Sequence, residues 1–207
     1  TAEEVAVARD APLPTIGGDA DSTPARQARA GAGRRWLAAI VLVGAVAGAF
    51  GNALENDFVY DDRLLIVDNW AVRAPLGNLQ ALSFYRPLRT LSYRLDYAIG
   101  GLDPRVFHLS NLLYHAITVL LVRGVVEGTG ASPAAALGGA LLFAVHPLQA
   151  DAVTYVSGRR DVLCGLFFAA GFLAYLRYRE RRTRAALVAA LVCYVLALLA
   201  KEMAITL

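Results

Sequence analysis

Side chains able to do chemistry fall in a few short stretches of an otherwise apolar chain. Asp61 and Asp62 lie side by side in FVYDDRLLIVDN, residues 58–69, among apolar and aromatic neighbours. A carboxylate in a partly dry loop can act as general base toward a hydroxyl. His108, Asn111 and His115 follow at i, i+3 and i+7, which puts them on one stripe of a helix. His146 stands before Pro147, and QADAVTYVSGRRD, 149–161, supplies Asp151, Arg159, Arg160 and Asp161. Lys201 and Glu202 close the last long apolar run. Arg and Lys at a membrane boundary suit a lipid phosphate, Arg by bidentate contact. Each group also has a plainer reading. The acidic pair reads as a solvated turn, the His/Asn stripe as interhelical hydrogen bonding, and His146 as a helix end. GRRD reads as an interface anchor with its own ion pair, and Lys201–Glu202 as a self-neutralising pair.

The elements that must hold these residues are membrane helices. The chain has 207 residues, 57% hydrophobic and only 18% charged, with a mean hydropathy of +0.48. Soluble domains are nearer 45–50% apolar. The net charge is +3 and Arg residues are scattered between apolar runs, which gives no reason to infer nucleic-acid binding. Cys164 and Cys193 sit in apolar runs without partners at metal-ligand spacing and read as small buried hydrophobes. Lys201 is the only Lys among many Arg and Ala residues, a composition that favours a GC-rich, bacterial source.

Residues 1–33 show no apolar period and read as a disordered cytoplasmic tail. Residues 34–207 read as a multi-span membrane domain, an all-α polytopic helix bundle. Residues 36–54 hold no charge and are long enough to cross a hydrocarbon core of about 30 Å. Further spans are expected near 106–122, 132–147, 162–176 and 185–207, with Ser132 as N-cap and Pro133 at the first helical position. Five spans put Arg34–Arg35 and RYRERRTR, 177–184, on one face, which the positive-inside rule makes cytoplasmic. The opposite face receives a large loop, 55–105. Within it RPLRTLSYRLDYAIGG predicts a helix with Leu88, Leu91, Leu95 and Ile99 on one side and its Arg residues mostly elsewhere. That pattern fits a basic amphipathic helix in the interface, or a helix packed on the bundle ends.

Parity thus gathers acids, imidazoles and guanidinium groups at one membrane boundary, where unpaired charge is costly. Phosphate grips beside a base point to group transfer from a lipid-phosphate donor to a water-side acceptor. The base draws the acceptor's proton, and the cations stabilise the departing phosphate.

FVYDD, YRPLRTLSYRLDYAIGGLDPRVFHLSNLLYHA, LLFAVHPLQADAVTYVSGRRDVL and LLAKEMAIT, in this order, resemble the N-terminal membrane half of the transmembrane and tetratricopeptide-repeat protein O-mannosyltransferases. The resemblance covers roughly residues 50–207 and implies a glycosyltransferase C fold with a large first extracytoplasmic loop. It implies a polyprenyl-phosphate sugar donor, mannose in the eukaryotic relatives, and a protein Ser or Thr hydroxyl as acceptor. The family's first-loop acids fall on Asp61 and Asp62 as catalytic residues. On the residue chemistry given above, donor phosphate binding is expected at Arg159, Arg160 and Lys201, with His108, Asn111, His115, His146, Asp151, Asp161 and Glu202 in support. Gln149 stands where the family has a second His, and Asp151 where it has Glu. No cofactor is indicated, and a divalent metal is left open. The expected site faces the periplasm of a bacterial cell membrane, or the lumen of the endoplasmic reticulum in a eukaryote. The repeats are absent from this sequence, which reads as a fragment. A non-catalytic anchor for a downstream repeat domain, or a transporter segment, is the competing reading.

Overall fold

The structure, a computed structural model, describes residues 24–81 and 85–206. Two compact units are distinguished, residues 1–37 and 38–207. The described part of the first is helical, and the second holds the bundle and its loops. All described regular structure is helical, and the protein is an all-α membrane helix bundle. Helix α1, Pro24–Phe50, reaches back into the segment expected to be a tail. The Ala- and Arg-rich stretch after Pro24 is good helix-forming sequence, with Pro in the first turn. The rest of the expected tail, 1–23, lies outside the described residues.

The first loop carries a short helix α2, Trp70–Arg73, and then α3, Pro87–Gly100. Helices α4, Pro104–Gly128, and α5, Pro133–Ala144, form an antiparallel pair. The Ser132 side chain accepts the Ala135 N–H at 3.2 Å and Pro133 opens α5, as the sequence predicts. Helix α6, Gln149–Thr154, leads into α7, Arg159–Arg181, which turns back through α8, Arg184–Ala200. Helix α8 stops at Ala200, whereas the last span is expected to run on to 207. Lys201 is extended, with φ −157° and ψ 135°, and a 3₁₀ turn covers Glu202–Thr206. The Lys201 side chain is drawn to Asp161 of α7.

Three helical stretches are long and apolar enough to cross a membrane, Ala32–Glu55, Pro104–Gly128 and Val156–Arg181, and α5 and α8 are shorter apolar helices. Contact between helices rests on small residues. Ala136, Ala140 and Ala144 make a fully buried stripe on α5. Gly124 and Gly128 of α4 lie so close to Leu173 and Leu176 of α7 that a Cβ would come within 3.1 Å of each. Small residues at such crossings let dispersion act over a large area where lipid removes the hydrophobic drive. Leu42, Val46 and Phe50 of α1 close this core against Leu112, Val119 and Val162. Outward-facing Leu113, Leu142, Val188 and Leu191 are exposed, as lipid-facing side chains must be.

A second core holds the first loop against the bundle, built from Phe58, Ile66, Val72, Tyr93, Phe107 and Val156. Helix α3 lies across it with its polar side inward. Arg89, Thr90, Ser92, Arg94 and Asp96 are buried, while Leu95 and Ile99 are 44% and 78% exposed. Arg94 donates to the backbone carbonyls of Pro75 and Asn78, the latter at 3.0 Å. The amphipathic pattern therefore has its polar face on protein and its apolar face outward, the arrangement an interfacial helix needs. Gly101 ends the helix at φ +63°, a conformation that suits Gly.

Candidate active site

Asp61 and Asp62 have opposite environments. Asp62 is fully buried. Its carboxylate accepts the Val59 N–H at 3.2 Å and the Ser157 N–H at 2.8 Å, tying the first loop to the turn before α7. Burial raises its pKa above the usual carboxylate range, against the lowering effect of those two N–H donors. Asp61 is exposed, and its backbone N–H donates to the Tyr155 hydroxyl at 3.0 Å. Tyr60 before it has φ +45°, uncommon outside glycine, so the acidic pair leaves a strained turn. Gly158 makes the receiving turn possible. A Cβ there would meet the carbonyl oxygens of Asp151 and Ala152 at 2.7 Å.

Arg159, the first residue of α7, has no exposed surface. Its Nε donates to Asn111 Oδ1 at 2.7 Å, Nη2 to the Phe107 carbonyl at 2.6 Å, and Nη1 to the Asp96 carboxylate. The guanidinium lies 4.8 Å from the Tyr93 ring centroid. Asp96 also accepts from Ser110 at 2.7 Å, and burial is the largest influence raising its pKa. Tyr93 donates to the Val156 carbonyl at 3.1 Å, and burial pushes its phenol up to about 12. Asn111, expected as a supporting residue, completes the node by donating to the Tyr155 carbonyl at 3.1 Å. Asp96 and Tyr93 were missed by sequence reasoning. The signal was a charge and a phenol on the polar face of a helix treated as a roof.

The remaining charged residues form an open rim. Arg160 faces Asp161 at 3.4 Å, and Lys201 makes a closer pair with the same carboxylate. Arg86, just before α3, reaches Glu202 at 2.7 Å and stacks 4.4 Å from the Tyr85 ring centroid. The Arg86 hydrogen bond is the main reason the Glu202 carboxyl titrates below its usual range. Arg86, just before α3, and Arg89, in its first turn, complete the rim, and neither was among the expected site residues.

The imidazoles do not join this rim. His115 sits 3.1 Å from the Ala144 carbonyl and edge-on to Phe50, inside the helix packing. His108 is buried, and neither ring nitrogen is hydrogen-bonded to a described residue. His146 is exposed and its Nδ1 accepts the Leu148 N–H at 3.2 Å, closing the turn into α6. Asp151 is exposed in the first turn of α6. Among the described residues no three His, Cys, Asp or Glu come together as a metal-binding group.

The chain is 39% identical over 171 residues to the human protein O-mannosyl-transferase TMTC4, a match covering 68% of this chain and 23% of that protein. It is 36% identical over 178 residues to human protein O-mannosyl-transferase TMTC1, covering 78% and 20%. The Drosophila melanogaster protein O-mannosyl-transferase Tmtc1 is 36% identical over 170 residues, covering 75% and 20%. The matched region thus spans about a fifth of the length of these relatives. No family model matches the chain, and no solved structure matches it significantly. Apolar helices long enough to span a bilayer and these relatives agree: this is a multi-pass membrane protein, and the chain belongs to the TMTC family of protein O-mannosyl-transferases.

Proposed function

We propose that the rim formed by the first loop, the start of α7 and the end of α8 takes part in moving mannose from a polyprenyl-phosphate donor to a Ser or Thr hydroxyl of a protein. Asp61 is the general base. It takes the acceptor hydroxyl's proton as the oxygen bonds to the sugar's anomeric carbon. The bond from that carbon to the phosphate oxygen breaks, and its electron pair leaves with the lipid phosphate. Arg160 and Lys201 stand to receive that charge. Asp62 keeps Asp61 in place, and Arg159, with its donors directed to Asn111, Asp96 and Phe107, holds the scaffold rather than the donor. The bundle is of the glycosyltransferase C type, and the rim faces away from the cytoplasm, because Arg34, Arg35 and the cluster 177–184 mark the other side. The Arg-rich, Lys-poor composition favours a bacterial cell membrane.

One observation carries this reading: an exposed carboxylate, Asp61, sits on a loop that the buried Asp62 pins to the turn presenting Arg160. The test is a transfer assay with the full-length protein, labelled polyprenyl-phosphate mannose and membrane-extract acceptors. Label on Ser or Thr of protein is the expected result. Label passing only to lipid or glycan would refute the assigned acceptor, and no transfer would refute the activity.

A further inference from the structure

Arg89 is the unusual member of the rim. It lies in the first turn of α3 and is 7% exposed, yet its side chain makes no hydrogen bond or ion pair with any described residue, and its Nε is buried without a partner. A buried guanidinium normally has a carboxylate or carbonyl fork opposite it, because desolvating the charge alone costs several kcal/mol. Here the strongest electrostatic neighbours are Tyr93, Tyr85 and two further guanidiniums, Arg86 and Arg160. Burial, with both cations acting in the same sense, pulls its pKa below that of an ordinary Arg. The carboxylates that pair with the neighbouring cations are already committed, Glu202 to Arg86 and Asp161 to Lys201 and Arg160. Among the described ion pairs at the starts of α3 and α7 and the end of α8, Arg86, Arg160 and Lys201 share two acids, Glu202 and Asp161, and the more buried Arg89 has none.

We propose that Arg89, flanked by Arg86 and Arg160, is the inner wall of a phosphoryl-anion site. Three guanidiniums match the several oxygens of a phosphoryl group better than a single carboxylate. Depth supplies the second argument. The outward apolar face of α3, with Leu95 and Ile99 exposed, suits the membrane interface, so its first turn lies where lipid phosphates lie. The site deepens the transfer reading and rests on it only for its natural ligand, the donor's phosphate. Phospholipid headgroups and free phosphate share the chemistry.

The experiment uses the full-length protein in phosphatidylcholine nanodiscs, titrated calorimetrically with farnesyl phosphate or inorganic phosphate, and separately in discs containing phosphatidylglycerol. Farnesyl phosphate should bind the wild type and bind Arg89→Gln about tenfold more weakly or worse. Arg89→Lys should recover part of the loss, having the charge but not the fork. Arg177→Gln, on the exposed far end of α7, should bind as wild type. Arg89-dependent binding of phosphatidylglycerol alone, or of phosphate alone, would keep the anion site and assign it to a structural lipid or a soluble anion. Wild-type affinity for every probe in Arg89→Gln, or no binding by the wild type, would overturn it. If Arg89→Gln does not fold, Arg89→Lys decides, and unchanged affinity there overturns the site. Arg89-dependent binding in a protein that transfers no mannose would sink the transfer reading and leave the site standing.

Discussion

Around Arg159 each nitrogen finds an acceptor inside the protein, and no surface is left to solvent. Around Arg160, one residue later, cations outnumber acids and the side chain is 37% exposed. The acidic pair repeats the contrast, Asp62 closed and Asp61 open. In both pairs the buried residue ties together segments distant in sequence, while its neighbour lies at the surface. Closed nodes make the scaffold rigid, and open ones keep charge unspent at the rim. Adjacent charges in one motif thus have different duties, and stability and activity should separate along the same line.

The largest stability effect should come from the closed node. Arg159→Leu leaves the Asp96 carboxylate buried without its cation and should cost about 3–5 kcal/mol, read as a large fall in thermal midpoint in detergent. Combining it with Asp96→Leu should restore much of that loss. A single variant as stable as wild type would erase the contrast between the two regions. Next is Asp62→Ala, which strands the Val59 and Ser157 N–H groups and should cost about 2 kcal/mol. Asp61→Ala should fall within about 0.5 kcal/mol of wild type by the same melt, as exposed sites do.

A pH series sharpens the comparison of the two acids. Because the folded-state pKa of Asp62 is raised, the native state holds that proton more tightly than the unfolded chain. Its contribution therefore favours folding at low pH and is lost as pH rises from the ordinary carboxylate range through the raised value. Asp62→Asn should flatten that part of the stability profile, and Asp61→Asn should leave it unchanged. The smallest effect belongs to the rim. Lys201→Ala removes a partly exposed pair with Asp161 and should cost no more than about 1 kcal/mol. A loss as large as that of Arg159→Leu would mean the rim is a second closed node.

Much of the fold was legible because apolar length and the Ser132–Pro133 start are local signals. Counting spans predicts that polar residues gather at one end, and the imidazoles of His108 and His115 instead lie buried in the packing. The division of labour within each pair was not legible. It depends on Ser157 reaching back to Asp62, and on Asp96 and Asn111 reaching Arg159, across long stretches of chain. The inward turn of the polar face of α3 was hidden for the same reason. Periodicity marks the two faces of a helix but not which of them meets protein. The stop at Ala200 was masked by the apolar residues after Lys201, which read as more helix.

The most direct measurement compares mannosyl transfer by full-length wild type, Asp61→Asn and Asp61→Glu at equal amounts of folded protein. If Asp61 is the base, Asp61→Asn should lower kcat/KM by about 10²–10⁴-fold with an unchanged melt, and Asp61→Glu should regain part of the rate. Asp61→Asn transferring mannose as fast as wild type would contradict the account.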